Sequence, residues 1–345
     1  MLEGLGSWPV QQADQPPAHS REKAYASSNM ALPLNTSLLP RTPETGSCAC
    51  LRVHADHPPG VNLRDGCLSV APGLESLAAS YRIEEWRADG PGRASLEGHV
   101  HLLEHADVLF AAWHQPDTTL ADTTRQAYLD LFLAVRARGF PYPVRIWNYF
   151  SDIHGDEDGL ERYQSFCIGR GLALDELGIT EESMPAATAI GTRAAGLFVY
   201  LIAARCPGKA IENPRQISAY RYPEQYSPES PAFARATRIE TTEGPQLLLS
   251  GTASITGHES RHVGDCAAQA REILANLDAL HATAGNDLPP PAWLRVYLRR
   301  PEDQPVVAGI LSEHYPHTPA VHWVLGDVCR RELLVEIEGV HARTP

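Results

Sequence analysis

Apolar residues recur at three- and four-residue intervals from Ala121 to Gly139 and again from Cys266 to Ala284, and each stretch predicts an amphipathic helix. Beyond the first, Pro141 and Pro143 break the helical period, and Val144-Arg145-Ile146-Trp147-Asn148-Tyr149-Phe150 reads as a strand. A helix from about Gly159 to Leu177 is expected next, then strands at Pro185 to Ile190 and Leu197 to Ile202. The second half presents the same order. A strand from Trp293 to Leu298 follows its helix, then a helix from Pro301 to His314 and strands at Pro319 to Val324 and Leu333 to Glu338. Hairpin strands are expected ahead of each first helix: Tyr81 to Ala88 with the stretch around Val100 to Phe110, and Ala232 to Glu240 with Gln246 to Ser250.

Val144-Arg145-Ile146-Trp147 aligns with Leu294-Arg295-Val296-Tyr297, and Pro185-Ala186-Ala187 with Pro319-Ala320-Val321, which suggests a duplicated unit of roughly 130 residues. The predicted class is α/β (α+β), with each unit a mixed sheet covered on one face by two helices. The expected organisation is a leader over residues 1–45, one domain over 46–205 and a second over 206–345.

The closing run Glu332-Leu333-Leu334-Val335-Glu336-Ile337-Glu338-Gly339 interrupts the apolar pattern in one specific way. Side chains alternate along a strand, so Glu336 and Glu338 share one face while Val335 and Ile337 share the other. Two readings follow: a half-exposed edge strand with its acids in water, or a buried carboxyl with the raised pKa that suits a general acid. In the first half the equivalent strand carries Tyr200 and Ile202 at those places, so the unit's architecture does not demand the acids.

Composition narrows the function classes. Of 345 residues 43% are hydrophobic and 21% charged, which is ordinary globular composition and excludes disorder of the whole chain. A formal charge of −13 argues against nucleic acid and anionic membrane as partners, so an anionic substrate would need locally placed arginines. Seven cysteines without CxxC spacing read as reduced cytosolic thiols, and with no HExxH string no metal is expected. The longest apolar run, Gly196 to Ala204, is too short to span a bilayer, so a soluble cytoplasmic protein is expected. The first ~45 residues, rich in Pro, Gln, Ser and Ala, read as a mobile leader, with Met30 as a possible alternative start.

Five blocks then carry a resemblance. Arg145-Ile146-Trp147-Asn148-Tyr149-Phe150, Glu161-Arg162-Tyr163-Gln164-Ser165-Phe166-Cys167-Ile168-Gly169-Arg170, Pro185-Ala186-Ala187-Thr188-Ala189-Ile190-Gly191, Glu212-Asn213-Pro214-Arg215-Gln216-Ile217-Ser218-Ala219-Tyr220 and Ser250-Gly251-Thr252-Ala253-Ser254-Ile255-Thr256-Gly257-His258 look like the chorismatase family, in order and at matching spacing. The resemblance covers nearly everything from about residue 140 onward. It implies two fused units of the YjgF-like (reactive-intermediate deaminase) fold, agreeing with the duplication. It also implies release of pyruvate from chorismate without metal or organic cofactor. The simple deaminases usually carry an Arg after a Pro-Ala pair on the strand before the last; here Val321 follows Ala320 and Ala187 follows Ala186, which argues against that activity.

Chorismate offers two carboxylates, an enolpyruvyl ether and a ring hydroxyl. Carboxylates are best held by Arg forks, and Arg162, Arg170 and Arg215 lie inside the matched blocks, the first two about two helical turns apart. A surface salt bridge is the alternative for each. Tyr163, Tyr220, Tyr149 and Asn148 are the expected hydrogen-bonding partners of the substrate. Glu336 matches the family's closing-strand Glu and is expected to protonate the enolpyruvyl methylene. The resemblance associates Cys329 and Gly251 with the branch making 3-hydroxybenzoate, some members also releasing 4-hydroxybenzoate. The alternatives are hydrolysis to a dihydroxycyclohexadiene carboxylate and a non-catalytic YjgF-like protein binding an aromatic acid. A monomer and a homotrimer are both compatible with the sequence.

Overall fold

The computed structural model describes residues 31–43, 48–223 and 227–343. Two halves of the chain repeat one topology. In the first, the strands Ala186–Thr192, Tyr142–Ser151, Leu197–Ala204, Val108–Gln115, Val100–His105 and Arg93–Glu97 lie side by side in that order as a six-stranded sheet. In the second, Ala320–Leu325, Pro291–Leu298, Val335–His341, Gly244–Ala253, Ala236–Thr241 and Lys209–Ile211 follow the same order. The pair Ala186–Thr192 with Tyr142–Ser151 is parallel, as is its counterpart Ala320–Leu325 with Pro291–Leu298. Each parallel pair is joined through a helix, Arg162–Leu177 in the first half and Gln304–His314 in the second.

The helices form where the apolar period and the caps agree. Thr119 caps Leu120–Ala137 by accepting from the Asp122 N–H, and Asp265 caps Cys266–Ala284 by accepting from the Ala268 N–H. The apolar stripes Leu120, Tyr128, Leu131 and Val135, and Ile273, Leu277 and Leu280, are buried against their own sheets. Gly169 serves a packing need, because a Cβ there would overlap the Ala121 carbonyl where the two helices of the first half meet.

The opposite faces of the two sheets bury each other. Leu197, Val199, Leu201 and Ala203 point to the helices, whereas Phe198, Tyr200 and Ile202 point into a shared inner core. Val335 and Ile337 likewise face the helices of the second half, leaving Glu336 and Glu338 on the inner face.

The N-terminal region differs from its expected organisation. Asn35–Leu39 is a strand paired with Ile83–Asp89, so the leader expected to run to residue 45 is in part built into the fold. Leu32, Leu34 and Leu38 recur at even spacing and present one apolar face, which an average over a Pro- and Ser-rich segment conceals. Residues 1–30, including Met30, lie outside the described residues. The strands from Cys48–Ala55 to Ile83–Asp89 extend the sheet of the second half, not the first, through Cys67–Ser76 beside Ala320–Leu325. Ile83–Asp89 is therefore not a hairpin strand of the first unit, whose hairpin is Val100–His105 with Val108–Gln115. Trp86 of this region meets Trp147 and Trp293 at ring-centroid distances of 5.7 and 6.1 Å, so three segments share one core. Among the described residues no helix is long and apolar enough to cross a membrane.

Candidate active site

The seam between the halves is where the edge strand Ala186–Thr192 meets the second sheet. The Ala186 N–H donates to Thr237 Oγ1 and the Ala187 N–H to Ser250 Oγ at 3.0 Å, tying the two sheets together. Beside this contact the strand Gly244–Ala253 bulges. Leu249 stands opposite Gly339 but Thr252 opposite Ile337, so one extra residue is accommodated around Ser250 and Gly251. Bulges re-aim the backbone and are frequent beside functional sites.

A cavity of about 290 Å³ opens at this seam, with a recess of about 40 Å³ adjoining it. Glu336, Gly251, Cys329, Tyr163 and Phe233 line both. Asn148 and Arg170 line the recess; Gln216, Tyr222, Arg235, Arg330 and Arg331 line the main cavity. The segment connecting the halves supplies Gln216, Tyr222, Phe233 and Arg235, so the linker forms one wall.

Glu336 is 4% exposed. Among the described residues no side chain or N–H group hydrogen-bonds its carboxyl, which is pushed up to about 8, first by burial and then by the charge of Glu338, against an opposing pull from Arg145. Such a group is chiefly the neutral acid at neutral pH. Glu338 is buried at 1% exposure but fully engaged. It accepts from Arg145 Nη2 at 2.5 Å, Arg295 Nη1 at 3.1 Å, Tyr297 OH at 2.7 Å and the Thr188 hydroxyl. The closing strand thus buries both acids, and among the described residues only Glu338 is matched by protein donors.

Gly251 abuts the acid. A Cβ at that position would overlap Glu336 Oε1, so only glycine leaves the carboxyl its present place. Cys329 stands at the same wall, its thiol pushed up to about 12 by burial and by Glu336. It is a neutral thiol, not a nucleophilic thiolate.

The remaining expected residues separate into two groups. Arg170 is buried beneath the recess, 4.9 Å from the Phe166 ring centroid, with its Nε unpartnered among the described residues. Asn148 reaches the recess but spends its amide on Tyr128 OH at 2.9 Å and the Thr188 carbonyl at 2.9 Å. By contrast Arg162 is held by Asp117 and Glu157, and Arg215 by Glu272 and Asn276, both away from the cavity lining. Tyr149 is sealed in the inner core, its hydroxyl 2.6 Å from that of Tyr297. Tyr220 lies against Arg221 on a short 3₁₀ turn, and its neighbour Tyr222 lines the cavity instead.

Arg235, Arg330 and Tyr222 were not anticipated. Arg235 is 5% exposed and donates to Tyr222 OH at 2.8 Å; the guanidinium groups of Arg235 and Arg330 lie 5.5 and 5.4 Å from the Tyr222 ring centroid. Two cations and an aromatic ring thus face the mouth of a cavity whose floor is a neutral acid. The available signal was positional: Arg235 opens the strand region before the bulge, and Arg330 follows Cys329. His101 and His105 stand four apart beside Glu104, but on the strand Val100–His105, where that spacing separates them by about 13 Å. Among the described residues no three His, Cys, Asp or Glu side chains converge to hold a metal ion.

Comparison with known proteins places this geometry in context. Residues 84–203 match the family model described as the FkbO/Hyg5-like chorismatase N-terminal domain. A 3-hydroxybenzoate synthase from Streptomyces hygroscopicus is 37% identical over 287 residues, covering 79% of this chain and 83% of the relative. A chorismatase from Streptomyces rapamycinicus is 36% identical over 297 residues, covering 82% of this chain and 89% of the relative. A chorismatase crystal structure at 1.08 Å resolution superimposes with a TM-score of 0.80 at 33% identity, over 90% of this chain and 98% of the other.

Proposed function

The chain belongs to the chorismatase family, and from that premise we propose that it converts chorismate to 3-hydroxybenzoate and pyruvate, with Glu336 as the proton donor. The observation that carries the assignment of the acid is its environment: a buried carboxyl without a hydrogen-bond partner among the described residues, raised to about 8, on the floor of a cavity lined by arginines.

The chemistry follows from the substrate. Protonation of the enolpyruvyl methylene by Glu336 leaves an oxocarbenium-like ether. The neighbouring ring hydroxyl then attacks the ring carbon that bears this ether, returning its proton to the Glu336 carboxylate as the ring C–O bond breaks, which frees pyruvate as the ketone and leaves an epoxide-like ring. Opening of that ring and loss of a ring proton give the hydroxybenzoate, so proton uptake and release balance over the cycle. A neutral acid at working pH is needed for the first step, and burial supplies it. The dianionic substrate needs cations in a protein of net charge −13, and Arg170, Arg235 and Arg330 are the arginines we assign to this task. Tyr163 and Tyr222 supply hydroxyls at the cavity wall. Gly251 and the neutral Cys329 fit the hydroxybenzoate-forming branch, in which water must be kept from the cationic centre. All of these residues belong to one chain.

Incubation of the purified protein with chorismate, followed by pyruvate quantification and chromatographic separation of the aromatic products, tests the proposal. Pyruvate with 3-hydroxybenzoate as the main product is expected, and the same separation detects any 4-hydroxybenzoate. Pyruvate with only a dihydroxycyclohexadiene carboxylate identifies a hydrolase instead, and binding of chorismate without pyruvate release identifies a non-catalytic receptor.

A further inference from the structure

Among the described residues the Glu336 carboxyl receives no hydrogen bond, so its seat is set by what flanks it, and Gly251 flanks it closely. Gly251 sits in a bulge, where the sheet ladder is interrupted. Its N–H donates instead to Thr188 Oγ1 at 3.0 Å, on the edge strand of the other half of the chain. That hydroxyl also accepts from Arg145 Nη2 at 2.6 Å and donates its one proton to Glu338. A hydroxyl has one donor and two lone pairs, so all three are used and its orientation is determined. Thr188 is 2% exposed, its carbonyl accepts from Asn148 Nδ2 at 2.9 Å, and its methyl group packs at Gly251. One side chain therefore joins the buried charge cluster to the main chain against which the proposed acid rests.

We infer that Thr188 is a positioning residue: by fixing the Gly251 backbone and holding Glu338 in place, it sets where the Glu336 carboxyl sits relative to the substrate. The inference rests on the reading of Glu336 as proton donor. Thr188 also lines the recess, but its hydroxyl is fully engaged by Gly251, Arg145 and Glu338, so its loss should act on the chemical step more than on binding.

The test compares Thr188→Val, which keeps the shape and removes the hydroxyl, with Thr188→Ser, which keeps the hydroxyl and removes the methyl. The valine variant leaves the Gly251 N–H without its acceptor and removes one of the two donors to Glu338 Oε2, so a fall in kcat of roughly 10- to 100-fold is expected. KM should stay within roughly threefold, and serine should restore most of the rate. A merely structural role would lower the amount of folded protein, read by thermal unfolding, without splitting kcat from KM in the folded fraction. If valine does not fold, Thr188→Ala against Thr188→Ser gives the same comparison. A valine variant with the parent's kcat, or a serine variant as slow as valine, overturns the inference. Glu336→Gln run alongside separates the two readings. If it still releases pyruvate, the acid assignment fails; if it is inactive while Thr188→Val is fully active, only the role of Thr188 fails.

Discussion

Arg145 and Arg295 hold equivalent positions in the two halves of the chain, and both donate to the same carboxylate, Glu338. Arg145 stands opposite Ile202 and Arg295 opposite Glu338, so the duplicated register has kept the arginine twice and placed the acid once. Arg295 also pairs with Glu84 from the N-terminal strands, which closes the cluster from the third side. Removing one partner from such a buried pair costs about 3–5 kcal/mol, so the cluster is a rigid base for whatever lies next to it. What lies next to it, one strand period away, is Glu336. Two acids in adjacent inward positions are thus given opposite environments, a separation that general acid chemistry requires.

Glu336→Gln should lower the rate of pyruvate release by at least ~10³-fold, since glutamine keeps the shape but has no acidic proton. Affinity for a non-reactive chorismate analogue should change by less than roughly threefold, because the acid acts on the transition state. A coupled pyruvate assay and titration calorimetry read the two effects. A glutamine variant retaining the parent's rate would remove Glu336 from the mechanism.

The pH dependence has a defined sign. Glu336 is raised to about 8, so the competent acid form is present below that value, and kcat should fall as pH rises through it. Stability follows the same window. Between the ordinary Glu value of 4.5 and about 8 the unfolded chain has released this proton and the folded chain has kept it, so this group's contribution to stability is full below 4.5 and is lost as pH rises towards 8. Glutamine does not titrate. Relative to the parent, Glu336→Gln should therefore gain stability across this window by up to ~1.4 kcal/mol per pH unit, and then level off. Denaturant unfolding of both proteins at several pH values measures this, and a constant difference would show that Glu336 is not raised.

The repeat was legible because it rests on local periodicity. Leu294-Arg295-Val296-Tyr297 and Val144-Arg145-Ile146-Trp147 announced equivalent strands, and the register indeed sets Glu336 opposite Tyr297 as Tyr200 stands opposite Trp147. That the two acids share one face was visible in the same way, through alternation against Val335 and Ile337; that this face is buried for both was not. Nor were the arginines. Arg162 and Arg215 sit in blocks that match the family, but their partners Asp117 and Glu272 lie 45 and 57 residues away, and no local pattern reveals that a guanidinium is already engaged. Arg235 reaches the cavity because the linker folds back across the seam, and Arg330 reaches it from the turn before the closing strand, tertiary placements without periodicity. The pairing of the N-terminal strands with the second sheet was hidden for the same reason.

The two sets of arginines should therefore behave differently. Arg235→Ala and Arg330→Ala should each raise KM by roughly 10- to 100-fold, the loss of a charge-assisted contact to a carboxylate. Arg162→Ala and Arg215→Ala should leave KM nearly unchanged and lower stability by about 1 kcal/mol, as partly exposed ion pairs do. Steady-state kinetics and thermal unfolding of the four variants separate the outcomes. A large KM effect at Arg162 or Arg215 would place the substrate elsewhere than in the cavity described.

Product choice should depend on Gly251 and Cys329. A methyl group at 251 would occupy the space of Glu336 Oε1, so in Gly251→Ala the carboxyl must swing away, lowering the rate and opening a position beside the ring. Cys329→Ala removes the sulfur from the same wall and enlarges the cavity toward the reacting centre. Each change gives water access to the cationic centre in competition with the ring hydroxyl. The ratio of diol to hydroxybenzoate should rise in either single variant and more in the double one, with total pyruvate reporting the rate. Because Cys329 is a neutral thiol, Cys329→Ser should retain hydroxybenzoate formation better than alanine, as it restores much of the volume. An unchanged product ratio across all of these would reduce Cys329 to a packing residue and leave exclusion of water to the aromatic wall of Tyr163 and Phe233.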